Sequence, residues 1–186
     1  MRVAVYCGAN EGNKACYREA AVSLGQWIGQ EGHVLVYGGG KVGLMGVVAD
    51  TVLGQPDGQA VGVIPQFLVD HEVGHEGLTK LIIVETMRER KQKMIDLADA
   101  FIALPGGPGT LEEISEVISW ARLGKLKQPC IFYNVNGFYD TLAAQFDRMV
   151  EDGFLTETHR KQICISDSLA EIQNFIANYK QAGLYE

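Results

Sequence analysis

Apolar residues gather along the chain in short runs, separated by longer stretches in which apolar positions recur every three or four residues. Residues 3–6 form the first run, a turn covers 7–13, and a helical pattern continues to about residue 30. Residues 34–37 lead into glycines at 38–40 and a helix beginning near Leu44. Residues 61–64 end at Pro65, which opens a polar, glycine-containing loop reaching Leu78. Residues 81–84 precede a helix over 87–98, and residues 100–104 precede a turn at 105–110 with its own helix. Residues 130–133 and a weaker run at 163–165 complete the strands, each followed by a helix. A strand with one wet face alternates apolar and polar residues. These runs are apolar throughout, as expected of a parallel sheet covered on both faces. Strand–helix alternation therefore predicts an α/β fold, a Rossmann-like doubly wound parallel sheet in three layers. No compositional break and no internal repeat divides residues 1–186, which read as one domain.

Composition narrows the class without naming a chemistry. An apolar fraction of 47% with 21% charged residues is that of an ordinary folded domain. A net charge of −7 argues against a nucleic-acid-coating surface, which needs clustered cations, but permits a small anionic ligand in a local basic pocket. Cys7, Cys16, Cys130 and Cys164 are scattered, fitting neither a zinc ribbon nor a disulfide framework. Reduced thiols in a cytoplasmic protein are expected. Neither a signal peptide nor a membrane span is expected, because the N-terminus runs straight into the first strand.

In a doubly wound sheet, ligands bind beyond the carboxyl ends of the strands, where loops meet helix N-termini. Residues 38–43, Gly-Gly-Gly-Lys-Val-Gly, fit G-x-G-x-x-G, yet the next strand lacks the acidic residue that a dinucleotide ribose requires. These glycines, Gly39 and Gly40 among them, are expected to form a backbone shelf for a phosphate or ribose. Residues 71–75 fit H-E-x-x-H. A zinc site needs that pentapeptide within a helix, whereas Gly74, Gly77 and the preceding Pro65 point to a solvated loop, so no metal is expected. Four cations, Arg88, Arg90, Lys91 and Lys93, follow the strand at 81–84. They form either a solvated face with Glu89 paired to Lys93, or a phosphate cradle; their place at the ligand edge favours the cradle.

The turn Pro105-Gly-Gly-Pro-Gly-Thr110 also has two readings. Thr110 and Glu113 spell a T-x-x-E capping box, with Glu112 a surface residue matching the helix dipole. Capping does not account for so much glycine, which suits a backbone that must approach a ligand, with free amides for an anion.

Three motifs together, GGG-x-x-GLMG at 38–46, RK at 90–91 and PGG-x-GT-x-x-E at 105–113, resemble the Lonely Guy (LOG) family. Its members are cytokinin-activating nucleoside 5′-monophosphate phosphoribohydrolases, formerly described as possible lysine decarboxylases. The similarity extends over nearly the whole chain, through VIP at 63–65, SWARLG at 119–124 and NVNGFYD at 134–140. It implies hydrolysis of the N-glycosidic bond of a purine nucleoside 5′-monophosphate, releasing free base and ribose 5-phosphate, without metal or organic cofactor. It implies catalytic roles for Arg90 and Glu113, and phosphate and ribose contacts from Gly106, Gly107, Gly109 and Thr110 with Lys91 nearby. A loop glutamate maps onto Glu76, and a hydroxyl before the tryptophan onto Ser119. The family is typically dimeric, with sites near the subunit interface. The chain departs from the family pattern at Arg88, where histidine is usual, at Ala9, where serine is frequent, and at Pro108.

Cleaving the C1′–N9 bond builds positive charge on the sugar, which calls for a carboxylate beside C1′. Glu113 is placed for that role, with Arg90 orienting it or the ribose. The rival function is a non-catalytic nucleotide or molybdenum-cofactor carrier on the same fold. A pyridoxal-dependent decarboxylase is disfavoured, since no lysine is marked to hold that cofactor.

Overall fold

Among the described residues seven strands form one parallel sheet: β1 Arg2–Tyr6, β2 Val34–Tyr37, β3 Gln59–Pro65, β4 Lys80–Val84, β5 Ala100–Ala103, β6 Cys130–Tyr133 and β7 Ile163–Ser166. Their order is β4-β3-β2-β1-β5-β6-β7, with every neighbouring pair parallel. The computed structural model describes residues 1–72 and 74–181. The helices are α1 Ala15–Gln30, α2 Gly43–Leu53, α3 Gln66–Glu72, α4 Met87–Leu97, α5 Pro108–Arg122, α6 Asp140–Glu151, α7 Glu157–Lys161 and α8 Leu169–Asn178, with a 3₁₀ turn at Val135–Gly137. Among the described residues no helix is long and apolar enough to cross a membrane.

Alternate residues of each central strand feed two different cores, which is why their sequences lack a polar face. Val3, Val5, Leu35, Tyr37, Ile102 and Ile131 pack beneath α1, α2 and α8. Ala4, Tyr6, Val36, Phe101, Ala103 and Phe132 pack on the opposite face beneath α4, α5 and α6. The chain winds outward from β1 to β4, then returns to place β5 on the other side of β1. The strand order reverses between β1 and β5, so the ligand crevice opens above that pair.

One local expectation is corrected, and one element is added. Residues 66–72, read as loop, form α3; seven residues make too few turns to show a helical period. The polar stretch before β7 likewise forms a short helix, α7, started by Thr156, whose hydroxyl accepts from the His159 N–H at 3.2 Å.

The core around β6 also shapes the crevice. Phe132 is fully buried and meets Tyr139 edge-on at 4.8 Å, while the Tyr139 hydroxyl donates to the Leu104 carbonyl at 2.7 Å, just before the glycine turn. Phe132→Ala should cost about 3–5 kcal/mol of stability. Tyr139→Phe, which strands a buried carbonyl but keeps the ring, should cost about 1–3 kcal/mol. Urea denaturation of the two variants checks both magnitudes.

Candidate active site

A cavity of about 400 Å³ lies above the carboxyl ends of β1, β2 and β5. Its walls are the loop after β1, Gly38 at the end of β2, the first turns of α2 and α4, the glycine turn with the start of α5, and Phe138. Gly8 joins three of these walls: its N–H donates to the Pro105 carbonyl at 3.1 Å, and its carbonyl accepts from the Leu44 N–H at 3.1 Å. Gly106 is pressed into this junction, where a Cβ would fall 2.2 Å from the Thr110 hydroxyl and 2.9 Å from the Gly8 nitrogen.

The capping-box reading of Thr110 and Glu113 is corrected. Gly107 is the N-cap of α5, has no side-chain partner, and is followed by Pro108 at the first helical position. Proline lacks an N–H and holds a helical φ, so it starts the helix three residues earlier than a cap at Thr110 would. Thr110 therefore sits buried inside the first turn. The amides of Gly107, Gly109 and Thr110 have no intrahelical acceptor, and the positive end of the helix dipole adds to them. A T-x-x-E device does exist, one helix earlier. The Thr86 hydroxyl accepts from the Glu89 N–H at 3.2 Å, and Glu89 accepts from the Glu85 N–H at 3.0 Å. Glu89 thus caps α4, where the solvated-face alternative had paired it with Lys93.

Glu113 is half-buried on the cavity wall. Burial pushes its carboxyl up to about 7, opposed by the charge of Arg90 and reinforced by the neighbouring Glu112. Arg90 is itself 7% exposed. Its Nη2 donates to the Gly38 carbonyl at 3.2 Å, its Nη1 lies 3.7 Å from the Met87 sulfur, and its Nε has no partner. Glu112 is not a free surface carboxylate: it pairs with Lys91, which also meets Glu116 at 3.0 Å. Its hydrogen bond to Glu112 is the main reason the Lys91 ammonium holds its proton more tightly than usual.

The cavity brings together Arg90, Glu113, Gly106, Gly107, Gly109 and Thr110. Lys91 instead ties α4 to α5. Gly39 and Gly40 turn away into the loop before β4, where the Gly39 carbonyl accepts from the His75 N–H at 3.2 Å and Gly40 bridges to Gly74. Glu76 and Ser119 are exposed and stand outside the cavity wall. The H-E-x-x-H stretch begins at the end of α3; the side chains of His71 and Glu72, and all of Val73, lie outside the described residues. His75 is not solvated as expected: it is 7% exposed, with Nε2 2.8 Å from an Asp50 carboxylate oxygen and Nδ1 accepting from the Gly77 N–H. Among the described residues no three His, Cys, Asp or Glu side chains are grouped to share a metal ion. Tyr6, Met45, Met87 and Phe138 on the wall were not singled out as site residues, although Met45 and Phe138 lie within quoted motifs and Tyr6 and Met87 sit at a strand end and a helix start of the predicted ligand edge.

The family model described as "Possible lysine decarboxylase" matches residues 45–176. A cytokinin riboside 5′-monophosphate phosphoribohydrolase of Oryza sativa subsp. japonica is 47% identical, over 92% of this chain and 70% of that one. One from Arabidopsis thaliana is 41% identical over 96% and 83%. Among solved structures, a molybdenum cofactor binding protein of Rippkaea orientalis superposes with a TM-score of 0.72 at 23% identity, over 95% of this chain and 94% of that one. The molybdenum cofactor carrier of Chlamydomonas reinhardtii does so with 0.69 at 15%, over 96% and 98%. At such identities the structures share the fold alone.

The raised carboxyl of Glu113 makes stability depend on pH. Its folded pKa of about 7 exceeds the ordinary 4.5, so the protonated form stabilises the fold below pH 4.5, and that contribution is lost as pH rises to about 7. Glu113→Gln removes the titration. The variant should gain about 3 kcal/mol relative to the parent between pH 4.5 and pH 8, read by urea denaturation at both values.

Proposed function

The chain belongs to the Lonely Guy family of cytokinin riboside 5′-monophosphate phosphoribohydrolases, and from that premise we propose that it hydrolyses the N-glycosidic bond of purine nucleoside 5′-monophosphates. AMP and N6-modified cytokinin nucleotides are the substrates, and free base and ribose 5-phosphate the products. The observation that carries this reading is that an open helix N-terminus, a carboxylate and a buried guanidinium share one cavity.

The 5′-phosphate takes the amides of Gly107, Gly109 and Thr110, with Gly106 allowing the backbone its close approach. The sugar then lies toward Glu113. As the C1′–N9 bond breaks, its electron pair leaves with the base, which gains a proton. Water bonds to C1′ and gives a proton to Glu113; the base takes its proton from solvent and Glu113 returns one to solvent, so protons balance over the turnover. The carboxylate also stabilises the positive charge growing on the sugar. Arg90 keeps a share of Glu113 ionised, and its unpaired Nε is the donor left for ribose or phosphate. The scheme uses no cofactor.

Lys91 serves by holding α4 against α5, and Gly39 and Gly40 by shaping the loop beside Gly38. A homodimer belongs to the same proposal. Leu111 and Trp120 on α5 and Leu123 at its C-cap are 42%, 36% and 58% exposed, and an interface there would bring Ser119 under a second subunit. Glu76 would join a site only across such a contact. One nucleotide-binding domain acting in the cytoplasm completes the reading, consistent with four unpaired cysteines.

A panel of nucleoside monophosphates, followed by chromatography for free base, tests the activity. Glu113→Gln should lower turnover by about 10²–10⁴-fold with the fold retained by circular dichroism. Arg90→Lys, which keeps charge but loses the fork of donors, should also lower turnover markedly. Binding of nucleotide with no base released would turn the reading to a carrier.

A further inference from the structure

The loop before β4 holds a buried imidazole that the hydrolytic scheme leaves unused. His75 is 7% exposed, and both ring nitrogens are engaged. Nδ1 accepts from the Gly77 N–H at 3.1 Å, so Nε2 carries the ring proton and donates it to an Asp50 oxygen of α2 at 2.8 Å. The Asp50 carboxylate is 69% exposed, and a contact so open to water adds little to stability as a charge pair. Its effect is geometric: it ties the loop at 74–78 to α2 across 25 residues of chain.

The tied loop in turn holds the glycine run that leaves β2. The His75 N–H donates to the Gly39 carbonyl at 3.2 Å, and Gly40 pairs with Gly74 in an antiparallel bridge. Gly39 has a φ of +77°, and a Cβ on Gly62 of β3 would fall 2.8 Å from its Cα. Three successive glycines carry little stiffness of their own, so contacts from outside set their conformation. The Gly38 carbonyl, in the peptide shared with Gly39, is the one that accepts from Nη2 of Arg90 at 3.2 Å. Contacts therefore run unbroken from Asp50 through His75 and Gly39 to Gly38, and end on the guanidinium at the cavity wall.

We propose that His75, held by Asp50, is a positioning residue for Arg90: it locks the loop that orients the Gly38 carbonyl, and through that carbonyl aims the guanidinium at the bound nucleotide. His75 itself stands outside the cavity wall and touches no reacting atom. Without the imidazole the loop loses its tie to α2 and the glycines regain their freedom. Arg90 then loses the acceptor that fixes one arm of its fork. His75 matters to turnover only if the chain is the phosphoribohydrolase proposed above, a reading on which this role rests.

His75→Ala and His75→Gln test it, since the glutamine amide nitrogen can stand where Nε2 stands and keep the donor to Asp50. With AMP as substrate, His75→Ala should lower kcat/KM by about 10–100-fold and His75→Gln by less than about fivefold. In an Arg90→Lys background, which has already lost the fork, His75→Ala should lower it by no more than about twofold further. Asp50→Ala, at an exposed position, breaks the same tie and carries the same cycle if the His75→Ala chain does not fold. Ile172→Ala, a truncation in the core under α8, should lower stability and leave kcat/KM within about twofold. Equal losses from His75→Ala and His75→Gln overturn the assignment, and so do additive losses with Arg90→Lys or a matching loss from Ile172→Ala. The same cycle read by urea denaturation needs no turnover. The unfolding constant of the double variant should fall short of the product of the single effects by about fivefold or more, and no shortfall overturns the latch. Coupled stabilities in a parent that releases no base uphold the latch and overturn the hydrolase reading instead.

Discussion

The hydrogen bond from Arg90 to the Gly38 carbonyl is the contact on which the rest of the site depends. A guanidinium at 7% exposure is tolerated only if its donors are met and its charge is opposed. Gly38 supplies the acceptor at the end of β2 and also the space, since a Cβ there would lie 1.8 Å from Nη2. The bond carries α4 across β3 and fixes the guanidinium beside α5. Arg90 is thereby a fixed charge, offering its remaining Nε without first paying to be ordered.

The glycine turn is governed by the same need for close approach. Hydrogen bonds place the turn and the loop after β1 against each other, and Gly106 permits the contact. Pro108 then fixes where α5 begins, and Gly107 at its N-cap has no side chain to take the amides that open there. α4, α7 and α8 each take a side-chain cap from Thr86, Thr156 and Ser168, whereas α1, α2, α5 and α6 take none, and of these α2 and α5 open on the cavity wall. Uncapped helix ends cost stability. At α5 the open end stands on the cavity wall, where a ligand with a phosphate would take up its amides.

The layers of the fold were legible because each core strand buries both faces and so reads as an unbroken apolar run, as at residues 34–37 and 130–133. The pairing of Arg90 with Glu113 in one cavity followed from their motifs, and the ligand edge followed from topology. What escaped was set by local chemistry that spacing does not encode. Thr110 and Glu113 match a capping box, but proline at 108 starts the helix first. Residues 66–72 are too few to show a period. His75 looked like loop until Asp50, far away in sequence on α2, provided its partner. Glu112 looked like a surface residue because its partner, Lys91, lies on another helix. Tyr6 was hidden in a strand whose apolar run gave no reason to single out a phenol.

Consecutive residues on α4 and α5 divide two tasks that would conflict in one pair. Neighbours on a helix point about 100° apart, so Arg90 turns inward while Lys91 turns toward the outer groove, and Glu113 and Glu112 do the same opposite them. Lys91 neutralises the outer carboxylates Glu112 and Glu116 by direct contact and holds the helices together. Arg90 acts on Glu113 across the cavity, without a direct ion pair between them among the described residues. Had Lys91 been given to Glu113, the carboxyl would fall well below neutrality and be tied up by its partner. Had Arg90 been removed, burial would leave Glu113 a protonated acid. The structure holds it between these limits, near neutral pH, where a carboxylate can both accept a proton from water and face a sugar gaining positive charge.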